Sequence, residues 1–290
     1  MKAVRYQLRI EGLATPDGTI SVRALLELLK GLTDCAERGL RLVIEGASVK
    51  TGRTPAWLAK AVDLTVAGIE KGSTVLDIEA PTLGDTIGAE LQQQDFWATP
   101  PAPEDTALSL FARSVHDTTA EKLESDYYDA GVLKGLLNLK PFLKNEAKSV
   151  ELVSHSKPKD QVTLTLMEME KAERLKVRMP DPQAFIVSGR LEAIEHSRKR
   201  FHLVLPEGQV IPGRIEEEFV TAENLREFWG KDVTIKGTVH FKPSGKVQVL
   251  DPDYANPPIV HRREVRGNRR IQPSPASNPG SANFWSHDGR

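Results

Sequence analysis

The chain has 290 residues, a hydrophobic share of 39% and a formal net charge of −1. That length allows about two domains at roughly 100–200 residues each, with enough apolar side chains for ordinary cores. A charge so close to zero excludes a chain that binds as a polyelectrolyte along its whole length, and leaves electrostatic recognition to local patches.

There is no apolar run long enough for a membrane span, and the N-terminus lacks a signal-peptide pattern. Cys35 is the only cysteine, which excludes an internal disulfide and points to the cytoplasm.

Ala3 to Glu11 predicts an amphipathic strand, with Val4, Tyr6, Leu8 and Ile10 alternating with Arg5, Gln7, Arg9 and Glu11. Ser21 can cap a helix through about Arg41, whose apolar stripe includes Leu25, Leu28, Leu32, Cys35 and Ala36. In that stripe Cys35 reads as a small core residue. Thr54 as cap and Pro55 at the first helical position start a short helix with Trp57 and Leu58. A hairpin follows, with Leu64 and Val66 in one strand, a turn at Glu70-Lys71-Gly72, and Thr74, Leu76 and Ile78 in the other. Helices are expected at Asp85 to Gln94, around Leu108 to Val115, and from Asp126 to Leu139. A second hairpin places Val150 and Leu152 opposite Val162, Leu164 and Leu166, and Glu168 to Met179 reads as a linker or short helix. Residues 1–180 therefore read as an α+β domain on an antiparallel or mixed sheet.

Residues 181–254 change character. Phe185, Val187, Leu191 and Ala193 share one strand face, and Phe201, Leu203 and Leu205 share another. A short strand follows from Val210 to Ile215, where Pro212 requires an edge or a bulge. Thr221 can cap a short helix that turns Leu225, Phe228 and Trp229 to one side. The next strand points Val233, Ile235, Val239 and Phe241 inward, and the last carries Val247 and Val249. Three strands, a helix and two strands resemble an OB-like β-barrel.

That resemblance implies an oligonucleotide or oligosaccharide site on strands two and three, framed by the loops after strands one and four. Arg198, Lys199 and Arg200 stand at one loop, Lys242 and Lys246 at the other, and Lys236 beside them, a cationic rim suited to single-stranded nucleic acid. Phe185, Phe201 and Phe241 all fall on the inward faces, so no aromatic stacking platform accompanies the rim, and Glu216-Glu217-Glu218 puts acid near it.

Residues 255–290 are rich in Pro, Asn, Ser, Gly and Arg and read as a disordered basic tail. Arg262, Arg263, Arg266, Arg269 and Arg270, with Phe284 and Trp285, are candidates for docking a protein partner, against the alternative of a solvated extension.

The phrases Pro55-Ala56-Trp57-Leu58, Gly68-Ile69-Glu70-Lys71-Gly72-Ser73, Ile78-Glu79-Ala80-Pro81 and Phe241-Lys242-Pro243-Ser244-Gly245 resemble a group of uncharacterised bacterial proteins. The resemblance implies a bacterial source and carries no activity.

No catalytic residue, cofactor motif or metal-ligand spacing emerges: His116, His155, His196, His202, His240, His261 and His287 form no ligand pattern with one another or with Cys35. The leading expectation is a non-enzymatic binding or adaptor protein, with single-stranded nucleic acid as its ligand. The alternatives are an antitoxin-like or immunity protein that binds a partner through its tail, and a hydrolase or nuclease with a noncontiguous site.

Overall fold

The alternation of Tyr6, Leu8 and Ile10 with charged neighbours makes β1, Ala3–Glu11, the central strand of a five-stranded sheet. The structure, a computed structural model, describes residues 2–13, 15, 19–49, 53–69, 74–88, 101–154, 156–195, 200–215 and 225–253. The tail at 255–290, Glu216-Glu217-Glu218, Thr221, Arg198 and Lys199 lie outside the described residues.

The sheet is antiparallel throughout. Its other strands are β2 (Thr65–Ile69), β3 (Val75–Pro81), β4 (Ser149–Val153) and β5 (Val162–Leu164), in the order β2-β3-β1-β4-β5. One face is buried. The other carries cross-strand pairs in register, Arg5 with Glu79 at 2.9 Å and Arg9 with Glu151 at 3.8 Å.

The helices are α1 (Val22–Glu45), α2 (Ala56–Ala61), α3 (Leu83–Thr86), α4 (Ala107–Thr119), α5 (Ala130–Leu137), α6 (Lys140–Asn145) and α7 (Leu166–Arg178). Ser21 caps α1 as expected, but the helix runs one turn past Arg41 to a left-handed C-cap at Gly46. At α2 the N-cap is Pro55 rather than Thr54.

Leu166 departs from its expected place in the second hairpin. Thr165 and Glu168 form a capping box, so Leu166 opens α7 and the apolar positions Met169, Ala172 and Leu175 turn inward. The helix expected from Asp126 to Leu139 is shorter, because Asp129 is its N-cap. Asp117 lies near the end of α4. It is buried and accepts hydrogen bonds from Lys122 at 2.6 Å and Ser125 at 2.7 Å.

Cys35 is buried in the core of this domain, and that burial pushes its thiol well above the ordinary range, which makes it an inert apolar group. Tyr6 extends from β1 to meet Thr106 at 2.8 Å and Asp160 at 2.9 Å beneath the N-terminus of α4, joining sheet, helix and the second hairpin.

A closed barrel follows, in the order β10-β8-β7-β6-β9. Its strands are β6 (Gln183–Glu195), β7 (Arg200–Val204), β8 (Val210–Arg214), β9 (Asp232–Phe241) and β10 (Val247–Pro252). The inward positions of β7 and β9 match the period-two reading.

Two bulges shift the others. One between Leu191 and Ala193 turns Ile194, not Ala193, toward the core, and one between Val247 and Val249 puts Leu250 inside in place of Val249. Pro212 lies on β8 beside the seam, where the parallel pairing with β10 is the single bridge of Gly213 to Leu250. Trp229 is 66% exposed rather than packed with Leu225 and Phe228, and its indole N–H donates to the Glu192 carbonyl at 2.9 Å.

The two hydrophobic cores share no residue among those described. No helix among the described residues is long and apolar enough to cross a membrane.

Candidate functional site

Pairing across β7, β8, β10 and β9 determines which side chains share the barrel's outer face. Phe201 points inward, so its neighbours Arg200 and His202 point out. Arg200 is in register with Arg214 on β8. Leu250 faces the core beside Gly213, so Asp251 comes next to Arg214 on the outside, and His240 of β9 joins them. Arg200, Arg214, Asp251 and His240 thus form a row across four strands, with the hairpin residues Lys242 and Lys246 at its end.

Arg214 donates from Nε and a terminal nitrogen to both oxygens of Asp251, and the His240 Nε2 lies 2.9 Å from the same carboxylate. Burial by itself would raise the Asp251 carboxyl. The hydrogen bonds from His240 and Arg214, with the charge on Arg214, outweigh it and hold the group below the usual carboxylate range. This clasp bridges the β8–β10 seam, where backbone pairing is thinnest.

A carboxylate with a depressed folded value contributes stability above its unfolded value near ~3.9 and loses it as the pH falls through the folded value. Asp251→Asn should therefore cost about 1–3 kcal/mol at neutral pH, with the gap from wild type closing below about pH 4. Urea midpoints measured across pH check this, and a gap that stays constant into acid contradicts it.

The row is turned toward the α+β domain. Arg200, expected at an exposed loop tip, is buried at the start of β7. It donates to the Leu42 and Val43 carbonyls at the C-terminus of α1, each at 3.2 Å, where a cation also meets the negative end of the helix dipole. Gly46 makes room: its φ is +79°, and a Cβ there would stand 3.0 Å from the Arg200 Nε.

The β9–β10 hairpin docks on the loop that follows α4. Lys242 donates to Asp126 at 2.5 Å and to the Glu124 carbonyl at 3.1 Å, Lys246 donates to Glu124 at 2.6 Å, and the Ser244 N–H meets the Leu123 carbonyl at 3.3 Å. Lys236, the remaining described cation of the expected rim, lies 3.6 Å from Asp253. Of the six rim residues, the structure brings Arg200, Lys242 and Lys246 to the boundary between the two units, leaves Lys236 apart from it, and does not describe Arg198 and Lys199.

A cleft of about 270 Å³ opens along this boundary. Arg214, His240, Phe241 and Val249 form its barrel wall, and Ser48 and Asp129 stand opposite. Asp129 offers little to a ligand: it accepts from the Val132 N–H and from both the N–H and hydroxyl of Ser48. Arg214 and Asp251 escape a reading of the sequence because they lie on different strands, although a polar residue at the outward phase of each is the available signal; His240, on the outward face of β9 with Lys236, is legible as part of the barrel's polar surface. No metal-binding group of three or more His, Cys, Asp or Glu occurs among the described residues. No family model, curated protein or solved structure matches the chain.

Proposed function

We propose that the chain is a binding protein that takes single-stranded nucleic acid on the outer side of the barrel at β8 and the Lys242–Lys246 hairpin, with the cleft as its point of entry. The observation that supports this is the convergence of Arg200, Arg214, Lys242 and Lys246 on one side of an OB-like barrel, opposed within the barrel's own row by Asp251. On such a face phosphate contacts provide the affinity, and binding is tolerant of sequence because no base-stacking aromatic projects from it among the described residues. The same proposal places the protein in the bacterial cytoplasm.

The test is fluorescence polarisation of the full chain with labelled oligothymidylate and oligouridylate over a range of salt. Affinity should fall steeply with salt. Arg198→Ala with Lys199→Ala should reduce the slope of log K against log salt by roughly 1.4, at about 0.7 per phosphate contact, with the thermal midpoint unchanged. Absence of wild-type binding at low salt would overturn the proposal and leave a protein partner, met by the tail arginines and Phe284-Trp285, as the better reading.

A further inference from the structure

The described cations on this side of the barrel are already in contact with oxygens of the chain itself. Lys242 meets a carboxylate and a carbonyl, Lys246 meets a carboxylate, and Arg200 meets two carbonyls. The two carboxylates are negative oxygens at hydrogen-bond distance from ammonium groups, the same contact that a non-bridging phosphate oxygen makes. Resting on the reading of this face as the ligand face, we infer that Glu124 and Asp126 are an internal competitor: they mimic two phosphates, hold the β9–β10 hairpin against the α+β domain, and yield their lysines to an incoming strand.

Two observations give this contact the character of a displaceable one. The Lys246–Glu124 pair is open to water on both sides, at 61% and 55% side-chain exposure. Asp126 is 87% exposed although Lys242 is only 16% exposed, so the acid stands at the surface and the lysine is the more buried partner. An ion pair exposed on both sides, as Lys246–Glu124 is, contributes little and weakens with salt, and the open side of Asp126 leaves its charge accessible to the same screening.

The two hydrophobic cores are separate, and the hairpin contacts described are polar, which is the kind of boundary across which domains move. Arg200 differs. It is buried against the end of α1, so that contact persists while the hairpin side opens. A strand entering at the cleft reaches Arg214 and His240 first and then competes for Lys242 and Lys246.

The test uses Glu124→Gln with Asp126→Asn in the full chain, with fluorescein-labelled oligothymidylate as probe. Both acids are exposed, so the thermal midpoint should stay near that of wild type. Affinity should rise about two- to thirtyfold, the range that two weak ion pairs allow. A second variant, Leu123→Cys with Ser244→Cys, places a disulfide across the contact where the Ser244 N–H meets the Leu123 carbonyl. Oxidised, it should lose binding, and reduction should restore it.

Equal affinity of the acid-to-amide variant and wild type, or undiminished binding by the oxidised pair, overturns the competitor while leaving the nucleic-acid reading in place. If neither wild type nor the acid-to-amide variant binds at low salt, the nucleic-acid reading itself fails, and the competitor falls with it.

Discussion

Ile235→Asp is expected to unfold the barrel while the α+β domain stays folded. Ile235 is 4% exposed on β9 and packs in the barrel core with Val187, Leu203 and Leu250. A carboxylate there has no partner and no route to water, and it must either ionise in an apolar site or take up a proton at a cost. The expected loss is about 4 kcal/mol or more, a large part of what a barrel of this size has. Because the two cores share no described residue, the loss should be confined to one unit. Hydrogen exchange resolved by peptide reads this out: amides of β6 to β10 lose protection and those of β1, β3 and α4 keep theirs. An unchanged pattern would mean that Ile235 faces outward.

Gly237→Ala comes second in expected effect. A Cβ on Gly237 would lie 2.2 Å from the Asp251 carbonyl oxygen and 2.9 Å from the Leu250 Cδ1. The nearest obstacle is backbone, so no side chain can swing aside to admit it. β9 and β10 must separate, and that moves Asp251 away from Arg214 and His240 at the seam. Overpacking of this kind costs about 3 kcal/mol. Gly88→Ala is the matched control, since nothing among the described residues lies within 4 Å of the added methyl, and it should change stability by less than about 0.5 kcal/mol. Chemical denaturation of both variants decides it, and equal midpoints would contradict the tight β9–β10 approach.

What the sequence reveals and what it hides divide along physical lines. Inward residues on β7 and β9 are legible because one strand face is buried and the other is not, which writes a period of two into the chain. Bulges break that period with no local mark, so Ala193 and Val249 read as core while Ile194 and Leu250 take the place. Leu166 looks like the end of an alternating strand, yet the capping box of Thr165 and Glu168 starts a helix there; the signal is present in the sequence and the alternation masks it.

The candidate site is the least legible part. Arg198-Lys199-Arg200 reads as an exposed basic tip, and nothing near it in sequence reports that Arg200 will meet carbonyls of α1 more than 150 residues earlier. Likewise Lys242 and Asp126 are separated by 116 positions. Charge pairs at such distances leave no periodic trace, and only the folded chain identifies them.

The most direct test is photo-cross-linking of a bromouridine-substituted oligouridylate to the full chain at low salt, followed by peptide mapping. Cross-links should concentrate on β8 and the Lys242–Lys246 hairpin, and should increase when Glu124 and Asp126 are replaced by amides. Cross-links confined to the exposed face of the five-stranded sheet, around Arg5 and Arg9, or to the tail alone, would contradict binding on the barrel.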